Sequence, residues 1–160
     1  MKKVFIYVGH SNWGKSMALK MLTGGSSHQK TVAISGINIR VRKMSNDDDE
    51  NDKDGLLKWV QRFPNLNFER FVIAFCPNIF PIEGKASFKE NMATDILIEL
   101  KKTNQLYFFV QEQKYSNPSM LISQNEINWL ANFGTVEILK GQHENNVRAE
   151  KFELFVKTYI

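Results

Sequence analysis

Apolar residues are gathered into short dense runs, and the spacing within each run separates strands from helices. "VFIYV" at 4–8 is rich in β-formers and reads as a buried strand. Residues 15–22 then turn helical and stop at Thr23-Gly24-Gly25. Residues 31–35 and 37–43 alternate apolar and polar around Ser35-Gly36, the pattern of a β-hairpin. Ile37, Ile39 and Val41 share one face of it, and Asn38, Arg40 and Arg42 the other. A helix is expected over 55–63, capped by Asp54 or an earlier aspartate and ended by Pro64.

"RFVIAF" at 70–75 and "LYFFV" at 106–110 are uninterrupted apolar runs, as for central strands covered on both faces. Between them, Met92, Ile96 and Leu100 recur every four residues within a helix expected over 87–102. Ser123 with Glu126 three residues on forms a capping box, opening a helix that ends near Gly134. "TVEIL" at 135–139 reads as a fifth core strand. Residues 146–159 form a last helix with Val147, Phe152, Phe155, Val156 and Tyr159 on its apolar side. Strands alternating with helices, apart from one hairpin, imply a three-layer α/β fold whose sheet is mostly parallel with one antiparallel edge hairpin. A chain of 160 residues suits a single domain over 1–160.

Bulk properties narrow the chemistry. The net charge of +4 is compatible with an anionic ligand and too weak to indicate nucleic acid. An acidic run at 46–54, "NDDDENDKD", breaks up the basic stretches and reads as a solvated loop. Cys76 is the sole cysteine, so no internal disulfide and no cysteine zinc site can form; a small buried hydrophobe is the expected role. His10, His28 and His143 lack a metal-ligand spacing, and no serine, histidine and aspartate grouping has a nucleophile context. The first apolar run is too short for a signal peptide or a membrane span, which makes a cytoplasmic location without membrane contact the expectation.

The strongest local signal is "GHSNWGKS" at 9–16, which fits G-x-x-x-x-G-K-[ST] between a strand and a helix. A polyphosphate needs several donors converging on one place. Main-chain N–H groups of such a loop supply them, and the following helix adds its positive end. Gly9 and Gly14 allow the close approach, Lys15 reaches the outer phosphates, and the Ser16 hydroxyl is the candidate Mg²⁺ ligand. Ser11, Asn12, Trp13 and Met17 complete the expected binding segment. Trp13 is expected to pack under the loop rather than cover a nucleotide. His10, at a variable position, either stabilises the loop or meets a phosphate.

Further residues extend the pattern. Asn12 two positions before Gly14, "LTG" at 22–24, the hairpin, and the order of later strands and helices resemble the TRAFAC-class, Ras-like small GTPases among the P-loop NTPases, over nearly the whole chain. The resemblance implies a Ras-like sheet that binds a nucleoside di- or triphosphate, GTP or ATP, with Mg²⁺. It makes Thr31 the candidate switch threonine and second Mg²⁺ ligand; its plainer reading is the first residue of a strand. It places D-x-x-G at 44–49, where Asp47 or Asp48 would approach Mg²⁺ but no glycine has the right spacing. "QEQKYS" stands in place of N-K-x-D, with Glu112 the candidate substitute, and "LKG" in place of S-A-K. Guanine selectivity of the usual kind is therefore not expected. Hydrolysis is expected to be slow or absent, with a role as switch or binding module and a protein partner on the hairpin at 31–43.

The alternative is a small-molecule kinase that transfers the γ-phosphoryl of ATP, with an aspartate from 47–49 as base. A parallel strand in place of the hairpin would favour it. A scaffold that binds no nucleotide is a third reading, opposed by the intact Lys15 and Ser16. Cys76 and Asn78, at the end of a central strand, are otherwise a buried hydrophobe and a turn residue. Trp59 and Trp129 fall on helix faces and are expected in the core.

Overall fold

The computed structural model describes residues 1–10, 12–26, 28–47, 55–77 and 92–160. Eight strands and five helices occur among them: β1 (Lys2–Val8), α1 (Lys15–Leu22), β2 (Thr31–Ile34), β3 (Ile37–Arg42), α2 (Gly55–Val60), β4 (Arg70–Phe75), α3 (Ala93–Thr103), β5 (Asn104–Gln111), β6 (Gln113–Lys114), β7 (Asn117–Leu121), α4 (Gln124–Ala131), β8 (Thr135–Leu139) and α5 (Asn145–Tyr159). Six strands form one sheet in the order β2-β3-β4-β1-β5-β8. β3, β4, β1, β5 and β8 run parallel, and β2 folds back antiparallel on β3 at the edge.

Alternation along β1 splits the core. Val4, Ile6 and Val8 point into one apolar cluster with residues of α2, α3 and α4. Phe5 and Tyr7 point into a second cluster with α1 and α5. Helices on both faces of a mostly parallel sheet are the expected α/β arrangement, and the antiparallel edge hairpin is present. The turn between β2 and β3 uses Ser35 at φ 51° and Gly36 at φ 77°, two consecutive left-handed positions as a type I′ hairpin turn requires.

Several expectations need correction. β8 is not a core strand: it lies at the sheet edge, and Thr135, Glu137 and Ile138 are exposed. The second helix ends at Val60, and Pro64 lies inside a short 3₁₀ turn, Phe63–Asn65, rather than terminating a longer helix. A proline at the first turns of a helical segment loses no hydrogen bond, which explains its place there. α3 is described from Ala93, so the expected start at 87 and the candidate Asn78 lie outside the described residues, as do the aspartates expected to cap α2. The antiparallel pair β6–β7 is an addition to the fold that the apolar pattern did not indicate. Trp59 and Trp129 are half-buried and pack against the first cluster. Among the described residues, no helix is long and apolar enough to cross a membrane.

Because five strands are parallel, the segments that follow β1, β3, β4, β5 and β8 all emerge at one edge of the sheet. The carboxyl edge is where α/β sheets gather ligands.

Candidate functional site

The segment from Gly9 to Met17 leaves that edge directly after β1. Gly9 N–H donates to Phe75 O on the neighbouring strand at 3.2 Å, and Trp13 N–H closes a turn on His10 O at 3.3 Å. Asn12 and Gly14 take left-handed backbone angles, φ 65° and 80°. Gly14 is the N-cap of α1 and offers no side chain to it. The first N–H groups of a helix have no intrahelical partner, so the start of α1 carries donors and a positive helix end. The space in front is a pocket of about 180 Å³ lined by residues 12–17.

Lys15 is only 4% exposed. Its stem passes Gly9, where a Cβ would lie 3.3 Å from Lys15 Cγ. Its ammonium donates to His10 O at 2.8 Å and lies 3.5 Å from Asp47 Oδ1. A charge is buried only with compensation, and here one carbonyl and one carboxylate provide it. The Asp47 contact exceeds hydrogen-bond length, so Lys15 is positioned by Asp47 without being wholly consumed by it.

Asp47 is brought there by its neighbour. Asn46 bridges the ends of β3 and β4: Cys76 N–H donates to Asn46 Oδ1 at 2.7 Å, and Asn46 Nδ2 donates to Cys76 O at 2.9 Å. Cys76 is buried, as expected of a small hydrophobe. Of the candidate aspartates, Asp47 meets Lys15, while Asp48 and Asp49 lie outside the described residues.

The Ser16 hydroxyl donates to Lys43 O at 2.8 Å. Thr31 does not join it. Thr31 opens β2, across from Arg40 of β3. Among the described residues, no three histidine, cysteine, aspartate or glutamate side chains form a metal cluster. Mg²⁺ is commonly held by one or two carboxylates together with substrate phosphates, and Ser16 and Asp47 are a donor set of that kind. While it donates to Lys43 O, the Ser16 hydroxyl keeps its oxygen lone pairs for a cation.

Trp13 is 3% exposed and stacks edge-on against His10 with ring centroids 5.2 Å apart, so it packs under the loop as expected. Its indole N–H finds no acceptor among the described residues. His10 Nε2 lies 2.8 Å from Glu126 Oε2, which fastens the loop to α4. Met17 is exposed at the rim, and Ser11 lies outside the described residues.

On the α5 side, Arg148 is buried against Gly14. Its Nη1 donates to His143 O at 2.8 Å, and its Nη2 to Asn145 Oδ1 and, at 3.5 Å, to Gly14 O. A Cβ on Gly14 would stand 2.5 Å from Arg148 Nη2, so this glycine answers both to its backbone angle and to the guanidinium. Tyr7 donates to Gln111 Oε1 at 2.9 Å; burial holds its phenol above the ordinary range, against a smaller opposing influence of Arg148. Arg148 went unnoticed in the sequence, although it occupies the apolar face of α5 with Phe152 and Phe155, four and seven residues on. An arginine at such spacing signals a buried charge with partners.

Two further candidates prove structural. The Glu112 carboxylate accepts from Gly141 N–H at 3.2 Å and Gln113 Nε2 at 3.4 Å, which joins the segments after β5 and β8. The Lys43 ammonium likewise joins segments, donating to Ser26 O and Gln29 O. Arg42 lies over the Trp59 ring at 5.7 Å.

The chain matches no model of a known protein family, and no curated protein matches it.

Proposed function

We propose that the protein binds the polyphosphate of a nucleoside di- or triphosphate with Mg²⁺ on the segment from Gly9 to Met17, as a binding module or switch with slow or absent hydrolysis. One observation carries this reading: a lysine is buried at the mouth of an uncapped helix, directly after a parallel central strand and in front of a pocket of about 180 Å³. Burying an ammonium is unfavourable, and an anion in that pocket would complete its compensation. The orphan Trp13 indole N–H is a further donor beside the loop.

Bound Mg²⁺ would supply charge neutralisation between the phosphate oxygens. The chain's own residues would orient the tail: loop N–H groups from below, Lys15 from the side, and Ser16 with Asp47 toward the metal. The loops after β5 and β8, where the GTPase resemblance places base recognition, border a second pocket of about 410 Å³ lined by Met21, Tyr115, Glu144, Asn145 and Asn146. Glu112 is occupied at Gly141 and Glu144 lines this pocket, while the sequence has no N-K-x-D after β5, which supports weak discrimination between bases. The antiparallel hairpin favours this reading over the kinase.

The Lys15–Asp47 pair also suits a scaffold that binds nothing. Calorimetric titration with Mg²⁺ and ATP, GTP or their diphosphates separates the two readings. Binding of ATP and GTP with comparable affinity, lost in Lys15→Ala, is expected. Absence of heat with every nucleotide contradicts the proposal.

A further inference from the structure

Beside the loop, and sharing Ser16 and Met17 with its pocket, a groove of about 750 Å³ runs between α1, the hairpin and α2. Six cations line it: Lys20, Lys30, Arg40, Arg42, Lys43 and Arg62. No carboxylate lines it among the described residues. The whole chain carries a net charge of only +4, while the described lining of this one concavity carries six cations. The crowding is felt locally: the Lys43 ammonium is held below its ordinary range, first by burial and then by Lys20. Like charges in a concave surface repel one another and focus the field, and an anionic occupant relieves both effects.

We propose that this groove is the site of a second ligand, a small molecule that carries several phosphate or carboxylate groups. Its size falls within the range of small-ligand pockets, about 300–1,000 Å³. Three separate elements converge on it, where a long nucleic acid or acidic peptide calls for an extended basic stripe. The guanidinium groups of Arg40 and Arg62 suit bidentate contacts to phosphate or carboxylate, and the Trp59 ring forms an apolar wall under Arg42. Three of the six, Arg40, Arg42 and Lys43, belong to the hairpin segment at 31–43 that was expected to meet a protein partner. This assignment stands independently of nucleotide binding at the loop, since none of the six cations belongs to residues 9–17.

Titration calorimetry with tripolyphosphate and with citrate tests it, because the two probes separate phosphate from carboxylate ligands. The titrations are made in Lys15→Ala protein, which disables the loop, with Lys15→Met plus Asp47→Asn as the substitute if that variant does not fold. One bound anion per chain is expected for at least one probe, with affinity that falls as salt rises. Arg40→Gln with Arg62→Gln should weaken it by about tenfold or more, while Arg40→Lys with Arg62→Lys retains part of it. In protein with Lys15 intact, the glutamine pair should leave any Mg²⁺–nucleotide binding in place. No uptake of either probe, or uptake unchanged by the glutamine pair, overturns the proposal. So does far tighter binding of oligothymidine or of a polyglutamate peptide to the same groove, which would make it a macromolecular surface.

Discussion

Gly14 combines two constraints that can be separated experimentally. A left-handed angle costs a non-glycine residue about 1–2 kcal/mol, and a Cβ here also meets the Arg148 guanidinium. Gly24 has a similar φ, 68°, but open space around its missing Cβ. Gly24→Ala should therefore lower unfolding free energy by about 1 kcal/mol, and Gly14→Ala by clearly more, about 2 kcal/mol or above. Urea denaturation of the two variants checks the difference. Lys15 is likewise constrained twice. Removing one partner of a buried pair costs about 3–5 kcal/mol because the remaining charge is stranded. Lys15→Met should thus destabilise the fold, and Asp47→Asn added to it should restore part of the loss. Nucleotide binding should stay absent in the double variant. Recovery of binding together with stability would show that Lys15 acts only through the fold.

Between elements, two polar links hold the carboxyl edge together. Asn46 satisfies both the N–H and the C=O of buried Cys76. Asn46→Ala removes both of these hydrogen bonds, and a loss of about 2–4 kcal/mol is expected by denaturation. Glu126 serves twice: it completes the capping box of α4 with Ser123, and it pairs with His10 in the loop. Ser123→Ala should cost about 1 kcal/mol, the usual price of a lost cap, and leave the loop unaffected. Glu126→Ala should cost more and also disturb the loop, visible as altered hydrogen exchange at residues 9–14.

The cap was legible because its signal is local, Ser123 followed by Glu126. Its link to His10 was not, because it joins residues far apart in sequence, and neither spacing nor hydropathy encodes that meeting. The same holds for Asn46, which sits at the start of an acidic run that reads as solvated loop yet is buried at the end of β4. The β6–β7 pair was missed because its strands are short and mostly polar, with Pro118 among them, so they bury little and leave no apolar alternation.

Across the whole molecule, the two core clusters divide the helices between the two faces of one sheet. Uninterrupted apolar runs marked β4, β1 and β5 as central because both of their faces are covered. β8 misled by composition: "TVEIL" has strand-forming residues, but at the sheet edge its faces stay largely exposed. α5 seals the second cluster with Phe152, which touches both Tyr7 and Phe109 in edge-on contacts. The apolar surface is thus buried on the flanks of the sheet, and the proposed function asks the segment between β1 and α1 to present main-chain donors at its carboxyl edge. Amide chemical shifts of residues 12–17, followed by ¹⁵N–¹H NMR as Mg²⁺ and a nucleoside triphosphate are added, test that claim most directly. The account predicts large saturable shifts at Gly14, Lys15 and Ser16, with little change in β8. Unchanged loop amides at saturating nucleotide would contradict it.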